Sequence, residues 1–542
     1  MPTTNETRIM GPPGTGKTTY LARQIETAAE KHGAENIVVA SYTKAAAAEL
    51  NRRQLPIPRE NIGTLHALCY RQLKQYEIAE VNAKTFNEEQ PFDAISLSGD
   101  GKLDEMAADA VYSTEGDRHL ATYNLFRARC QDLSTMHRTT IAWVKKWEDW
   151  KGRNNYIDFA DMISITLCMD EPMAGNPMIG IYDEVQDFNA MEMKLIRHWA
   201  KFQDHILLSG DDDQCIYTFS GASPEAFLSP EISADRKRVL RQSWRLPRKV
   251  HEFSQRWIKQ IKHREPKEFL PRDLEGSITE IKATYRAPHA AIELAGRLAQ
   301  DGKSVMLLAS CGYLLNTIKA QLRAAGLPFH NPYRATRGDW NPMGSFKTAG
   351  PAGRFSTRER ILSFLSQTTG GNGTSYWTLD DLDRWLSLVK VKGILKKGAK
   401  ERLTSVLEDR HGFLGGKESD FYSEIFEDFA LQRAMDRDVK WFYDSLLAGK
   451  RSASEYPLAV FKKQGIEALK TRPKIVLGTI HSVKGGEADA VILFPDLSVA
   501  AMREYEQQPD SVVRTFYVGI TRAKESLFIC QPGSQMCVPL RT

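Results

Sequence analysis

The sequence has no Cys-x-x-Cys pair. Its seven cysteines, Cys69, Cys130, Cys168, Cys215, Cys311, Cys530 and Cys537, are scattered. An odd number of dispersed thiols fits a reducing compartment, and the spacing argues against a zinc site or an iron–sulfur cluster. No apolar run of about 18 residues occurs, so no membrane span is expected. Neither sign of charge dominates: the formal net charge is +5. Composition alone therefore does not announce a nucleic-acid binder, although a basic groove can be balanced by acidic surface elsewhere. No internal repeat is visible. The residues ahead of Gly11 are polar and few, with no room for a signal peptide, so a cytoplasmic protein is expected, or a nuclear one in a host with a nucleus.

What is present is enough chain for several cores. At 542 residues, the usual domain size gives roughly three or four domains. Short apolar runs at Ile37–Ala40, Ile179–Tyr182, Ile206–Ser209, Val305–Ala309, Ile475–Thr479 and Ala490–Phe494 predict buried parallel strands. Helical patterns such as Thr18–Lys31 and Ala45–Arg53 follow them. The alternation implies α/β domains with mostly parallel sheets. Two stretches break it. Residues 71–150 are helical in pattern and carry Trp143, Trp147 and Trp150; residues 341–457 open with a Gly/Pro/Ser-rich stretch and then become helical. Both look like insertions into α/β hosts, and Gly370–Gly373 predicts a flexible loop.

The sharpest signal is Gly11-Pro12-Pro13-Gly14-Thr15-Gly16-Lys17-Thr18-Thr19, which satisfies G-x-x-x-x-G-K-[ST] between a strand candidate, Thr7–Met10, and a helix. Glycines let backbone N–H groups curl around phosphate oxygens, and the helix N-terminus adds partial positive charge. In such a loop Lys17 reaches the β- and γ-phosphates of a nucleoside triphosphate such as ATP, and Thr18 ligates Mg²⁺. The run Ile179 to Asp187 supplies the second half: an apolar strand ending in Asp183 and Glu184. Asp183 suits Mg²⁺, directly or through water, and Glu184 suits activation of the attacking water. The plain alternative for the pair is a solvated acidic turn.

A phosphate loop says only that a nucleotide binds; further segments say which kind of protein binds it. Asp183-Glu-Val-Gln-Asp187, Ser209-Gly-Asp-Asp-Asp-Gln214-Cys-Ile-Tyr217, Arg241-Gln-Ser-Trp244-Arg245, Thr479-Ile-His481-Ser-Val-Lys484-Gly-Gly-Glu487 and Tyr517-Val-Gly-Ile-Thr521-Arg522 follow one another along the chain. They resemble motifs II to VI of superfamily 1 DNA helicases of the UvrD/Rep/PcrA type, in family order and with family-like spacing. The resemblance implies that Gln214 senses the γ-phosphate and that Arg245 and Arg522 reach it from a second motor domain. It implies that Trp244 stacks on adenine where the family usually has Tyr, and that Glu487 bonds the ribose. The bland reading of Trp244 is a core aromatic. Ala40 to Lys44 resembles motif Ia and Gly63 to His66 motif Ib. With motifs III and V these put Tyr42, Thr43, Lys44, Thr64, His66, Tyr217, Phe219 and His481 on a single-stranded DNA track. Core packing is the competing reading for each ring, and a lone His66 is more often structural.

The resemblance implies two RecA-like P-loop motor domains with parallel sheets, each carrying a mainly helical insertion. The expected spans are 1–70 with 151–240 for the first motor domain, 71–150 for its insertion, 241–340 with 458–542 for the second, and 341–457 for its insertion. It implies an ATP- and Mg²⁺-dependent, DNA-associated helicase or translocase of 3′-to-5′ polarity that acts on single strands and single/double-strand junctions in repair, replication or recombination. Departures keep alternatives open. The family's upstream glutamine motif has no counterpart among the residues before Gly11, so other nucleoside triphosphates remain candidates. Lys44-Ala45 stands where the family has Asn-Lys, and Ser220 where it has Arg. A DNA-stimulated NTPase switch that does not unwind, a small-molecule phosphoryl-transfer enzyme and an RNA substrate are the rival readings. The basic run Lys390–Arg402 fits a solvated helix face better than a duplex-phosphate contact.

Overall fold

Mainly apolar runs with no polar face belong in a sheet covered on both sides, and the middle strands of the first sheet, at Ile37–Ser41, Ile179–Asp183 and His205–Gly210, contain such runs. A computed structural model describes residues 5–42, 53, 55–90, 96–97, 114–334, 340–344, 355–369, 375–408 and 418–541. The first sheet comprises β1 (Glu6–Met10), β2 (Ile37–Ser41), β3 (Ile62–Thr64), β4 (Ile179–Asp183), β5 (His205–Gly210) and β6 (Lys237–Val239), in the order β3-β2-β4-β5-β1-β6. Every pairing is parallel. Successive residues face opposite sides. Met10, Val38, Tyr182 and Leu208 enter one core with Leu65 and Trp199. Ile9, Val39, Ile181 and Leu207 enter the other, with Leu21 and Ile25 of helix α1 (Lys17–His32). Because all strands point the same way, Met10, Ser41, Asp183 and Gly210 end on one edge, where an open α/β sheet binds its ligands. Strands β3 and β6 escape sequence reading because each is three residues long with little apolar content.

Between β3 and β4 lies the first helical stretch, including Glu115–Ala128 and Arg138–Asn154. Trp143, Trp147 and Trp150 share one helical face. They are buried and meet the edge of Phe86 with ring centroids 5.9, 5.0 and 5.3 Å away, so they are core. Beneath them Asp158 is fully buried. Its carboxylate accepts from Arg127 Nη2 at 2.7 Å, Lys151 Nζ at 2.8 Å and Trp147 Nε1 at 3.1 Å. Burial opposes the charge on Asp158, but the two cations outweigh it and hold the carboxyl below its usual range.

Packing divides the chain into one unit of Met1–Thr279, Pro495–Ile529 and Ser534–Thr542 and another of Glu280–Phe494 and Cys530–Gly533. Within the second, β7 (Val305–Ala309), β8 (Phe329–His330), β9 (Ile475–Thr479) and β10 (Ala488–Leu493) lie parallel in the order β8-β9-β7-β10. Helices from Thr357–Leu365 to Ala448–Gln464 are inserted between β8 and β9 around Phe364, Trp377, Trp385 and Phe442. The mostly parallel α/β architecture with helical insertions is as expected. Pro457 sits inside the helix Ala448–Gln464 rather than ending it. The run Lys390–Arg402 is not a solvated helix face. Only its end enters the helix Ala399–Glu408, Ile394 and Leu395 are buried, and Lys396 Nζ and Arg402 Nη2 donate to the carbonyls of Ser423 and Glu424 at 2.8 and 2.9 Å. Ala45–Arg53, apart from Arg53, and Gly370–Gly373 lie outside the described residues.

Asp158→Asn keeps the shape of the side chain but removes the charge that answers Arg127 and Lys151. It should destabilise the first unit by about 3 kcal/mol, read as a fall in its urea midpoint; a midpoint equal to wild type would show that Asp161, which also meets Arg127 Nη1 at 2.8 Å and Lys151 Nζ at 2.5 Å, suffices for both cations.

Candidate active site and nucleic-acid interface

The loop after β1 is held from beneath and opened above. Gly11 N donates to Gly210 O at 2.9 Å, tying the loop to the end of β5. Thr15 closes the turn on Pro12 O through N at 3.2 Å and Oγ1 at 2.8 Å. Gly14 and Gly16 have φ of 74° and 77°, conformations that let successive N–H groups face one concavity and that L side chains rarely adopt. A Cβ on Gly11 would stand 2.6 Å from Lys17 Cδ, so that glycine leaves the lysine its path. Thr18 and Thr19 follow in the first turn of α1.

At the end of β4, Lys17 Nζ lies 2.8 Å from Glu184 Oε1 and 3.9 Å from Asp183 Oδ1. Burial opposes the ammonium charge, but the carboxylates of Glu184 and Asp183 outweigh it and hold Lys17 above its ordinary value. Asp183 is pushed up to about 6, by burial first, against the pull of Lys17 and with the help of neighbouring Glu184. Glu184 is left-handed at φ 55°, uncommon for a non-glycine residue. Gln186 Nε2 holds the second oxygen of Glu184, while Gln186 Oε1 accepts from Asp211 N at 2.9 Å, so the loops after β4 and β5 are joined. Ser41, the register partner of Asp183, keeps a buried hydroxyl with no hydrogen-bond partner among the described residues.

From β5, Gln214 donates through Nε2 to Asp211 Oδ2 at 2.7 Å and accepts at Oε1 from Arg522 Nη2 at 2.9 Å. Arg522, 1% exposed, also donates through Nε to Val518 O at 2.9 Å at the end of the helix Pro509–Ile520. Arg245 Nη1 lies 3.4 Å from Thr521 O. The 243–245 segment clasps the phosphate loop: Ser243 Oγ donates to Pro13 O and Trp244 N to Gly14 O, each at 2.8 Å. A Cβ on Gly14 would stand 2.3 Å from Arg245 Cβ. Trp244 is 71% exposed and so is no core aromatic. Lys17, Asp183, Glu184, Gln214, Trp244, Arg245 and Arg522 all belong to the first unit. Glu487, exposed, and His481, buried, belong to the second, on the loop after β9.

Of the expected track, Tyr42 and Tyr217 stack with ring centroids 5.5 Å apart, and Phe219 meets Tyr217 edge-on at 5.9 Å. Tyr42 Oη and Ser220 Oγ are 3.3 Å apart. Thr64 caps the helix Leu65–Gln72, its Oγ1 accepting from Ala67 N at 3.3 Å. His66 meets Phe159 edge-on at 5.9 Å, and burial pushes its imidazole down to about 4, so it is neutral at physiological pH. Thr43 and Lys44 lie outside the described residues. Sequence reading missed Phe159, 43% exposed beside His66, and Arg129, which donates to Thr218 O at 3.2 Å. It also missed Lys267 and Arg264, which bind the aspartates of the loop after β5. None of the four sits in a recognisable motif, though an exposed Phe after a buried Asp is a weak signal.

Residues 1–234 match the family model of the UvrD/REP helicase N-terminal domain, and residues 458–532 that of the UvrD-like helicase C-terminal domain. A probable DNA helicase II homolog of Mycoplasma capricolum is 22% identical over 96% of this chain and 81% of its own length. The ATP-dependent DNA helicase PcrA of Staphylococcus epidermidis is 21% identical over 97% of this chain and 81% of its own length. The ATP-dependent DNA helicase srs2 of Schizosaccharomyces pombe is 23% identical over 59% and 40%.

His66 carries a pH signature. Its folded pKa, about 4, lies below the ordinary value of about 6.5. Its contribution to stability is therefore present above about pH 6.5 and lost as pH falls towards 4, where the unfolded chain binds the proton first. The stability difference between wild type and His66→Gln should shrink or reverse across that window in urea titrations; a constant difference would mean that the imidazole is solvated.

Proposed function

The chain belongs to the UvrD/Rep helicase family, and from that premise we propose that it is an ATP-driven motor that moves 3′ to 5′ along single-stranded DNA and unwinds duplex at single/double-strand junctions. The observation that carries the reading is the convergence of a phosphate-cradling loop, a Lys17–Glu184–Asp183 charge cluster and two arginines, Arg245 and Arg522, within one compact unit. In this reading the loop 11–19 binds the triphosphate, Lys17 exchanges Glu184 for phosphate oxygens, and the freed Glu184 takes the proton of the attacking water. Arg245 and Arg522 answer charge on the γ-phosphate. The Ser41 hydroxyl, at the strand position paired with Asp183, and the Asp183 carboxylate offer oxygens of the kind Mg²⁺ takes, and Thr18 with Asp183 would hold the ion. Bound there, Mg²⁺ would neutralise phosphate charge.

Trp244, exposed beside Gly16, offers its face to adenine, and Glu487 offers a carboxylate to ribose. Tyr42, Tyr217 and Phe219 form the base-stacking part of the track, with Thr43, Lys44, Thr64, His66 and His481 along the strand. His66, being neutral, would act through hydrogen bonding or packing rather than charge. The four-part organisation set out from the sequence remains our reading of the motor: two RecA-like domains and two helical insertions. Closure on nucleotide would become motion because each state has its own contacts. Repair, replication or recombination is the setting, on DNA in the cytoplasm or nucleoid. A second reading, an NTPase switch that senses DNA without unwinding, draws on Ser220. It brings no charge to the track, and its hydroxyl is turned back onto Tyr217 O at 2.8 Å.

Strand displacement on duplexes tailed at either end, set beside ATPase stimulation by single strands, separates the two. A motor displaces from the 3′ tail; stimulation without displacement on either tail selects the switch. Lys17→Ala should abolish hydrolysis, whereas Glu184→Gln should bind nucleotide and turn over about 100- to 10,000-fold more slowly, measured by filter binding and phosphate release. Normal turnover in the first variant would remove the site. Tyr42→Ala combined with Phe219→Ala should leave basal hydrolysis and lose displacement; unimpaired displacement would return those rings to the core.

A further inference from the structure

Three consecutive aspartates, Asp211, Asp212 and Asp213, are all buried at the end of β5. No motif role given above requires three. They converge on Lys267, itself buried, whose Nζ is bonded to Asp212 Oδ1 and lies 3.1 Å from Asp211 Oδ1 and 3.0 Å from Asp213 Oδ2. Arg264 forks onto Asp213 at 2.8 and 2.6 Å. Glu265 N donates to Asp212 Oδ2 at 2.9 Å, and Arg514 Nε to Asp212 O at 3.0 Å. The whole cluster lies within the first unit.

The cluster reaches the active site through one amide. Asp211 Oδ1 is engaged by Lys267 Nζ at 3.1 Å and accepts from Asp213 N at 3.3 Å, so Oδ2 remains for Gln214 Nε2, at 2.7 Å. A carboxylate only accepts and a guanidinium only donates. An amide standing between Asp211 and Arg522 therefore has one satisfactory orientation: nitrogen to Asp211, oxygen to Arg522 Nη2. We infer that Lys267 is a positioning residue for Arg522: by pinning Asp211 it fixes the Gln214 amide, so that an oxygen rather than an N–H group faces the arginine. The inference rests on the reading of this site as the one that hydrolyses ATP, and it adds to that reading a buried lysine that lies in none of the motifs named above. A triphosphate oxygen would then compete with Gln214 Oε1 for Arg522 Nη2; Val518 O holds the Nε end of the arginine, and Lys267, through Asp211 and Gln214, sets what faces the Nη2 end.

The pinning has a distinctive consequence. In Asp211→Asn, Lys267 still demands an acceptor and takes Asn Oδ1. The Asn N–H group then faces Gln214, turns its amide, and presents Nε2 to Arg522, donor against donor. Hydrolysis should fall about 100-fold in kcat, as for a misplaced catalytic group, with the KM for ATP within about twofold. Adding Gln214→Glu supplies a side chain that accepts from both neighbours, and the double variant should recover at least about a tenth of the wild-type kcat. A residue needed only for folding would show no such reciprocal rescue. An Asp211→Asn kcat within threefold of wild type, or a double variant no faster than either single one, overturns the inference. If Asn at 211 alone fails to fold, Gln214→Glu alone serves as the reference: its facing carboxylates should slow turnover, and Asp211→Asn should restore it. Lys17→Ala, run beside these, keeps the two questions apart. If it abolishes hydrolysis while Asp211→Asn does not slow it, only the role of Lys267 is lost; if it hydrolyses normally, the site itself is misread.

Discussion

A carboxylate carried into a protein interior at the end of a strand has to be answered by a cation, and the first unit is arranged around that demand. Asp183 and Glu184 are answered by Lys17, Asp211 to Asp213 by Lys267 and Arg264, and Asp158 by Arg127 and Lys151. These clusters differ in what can displace the cation. Lys267 and Lys151 are almost fully enclosed, and breaking such a pair leaves an uncompensated buried charge. Glu184 is 30% exposed, and Lys17 begins the helix that follows the phosphate loop. Only there does the carboxylate nearer the lysine, Glu184, keep access to water if a polyanion takes the lysine; the buried Asp183 would then need a second cation, such as the Mg²⁺ proposed for it. The same chemistry thus builds a fixed joint in two places and an exchangeable one in the third.

The exchangeable joint is wired to the fixed one. Gln186 links Glu184 to the backbone of Asp211, and Gln214 links the side chain of Asp211 to Arg522. Each link is an amide, whose two ends differ in kind, so each transmits an orientation as well as a distance. A change in what Lys17 or Arg522 holds is felt at Asp211, and Asp211 cannot follow it because Lys267 holds the other oxygen. This asymmetry, a mobile rim on an immobile base, is what a site needs if it is to respond to phosphate while keeping its geometry.

The strands, the phosphate loop and the acidic pair were legible because each is written locally: an apolar run, a glycine spacing, two carboxylates after a strand. The parallel edge on which they meet follows from strand–helix alternation alone. What was not legible is long-range or depends on environment. Lys267 stands in Lys262-His-Arg-Glu-Pro-Lys267, a charged stretch with no motif, and its meaning lies in aspartates that chain topology brings to it. Lys390–Arg402 shows the converse: a basic pattern that suggested a solvated helix face is helical only at its end, and two of its cations, Lys396 and Arg402, are tied to backbone carbonyls by turns that composition does not reveal. Strands β3 and β6 are too short to show a period, and the neutral state of His66 is set by burial.

The departures from the family pattern are not spread evenly, and two of them meet. The motif resemblance puts Phe where Tyr42 stands and Arg where Ser220 stands; the two side chains lie 3.3 Å apart through their hydroxyls. Either change alone would be awkward. A tyrosine hydroxyl facing an arginine at that distance would compete with phosphate for its charge, and a serine beside a phenylalanine would leave a polar group against an apolar edge. Together they exchange a charged contact for a neutral tie that holds Tyr42 against Tyr217. On the proposed reading of these rings as a base-stacking track, grip on a strand would shift from phosphate to base: less charge would be available for counterion release, and more would rest on stacked rings. A track of that kind loses affinity less steeply with salt than one built on arginine. It also tolerates any base, because every base has a face to stack.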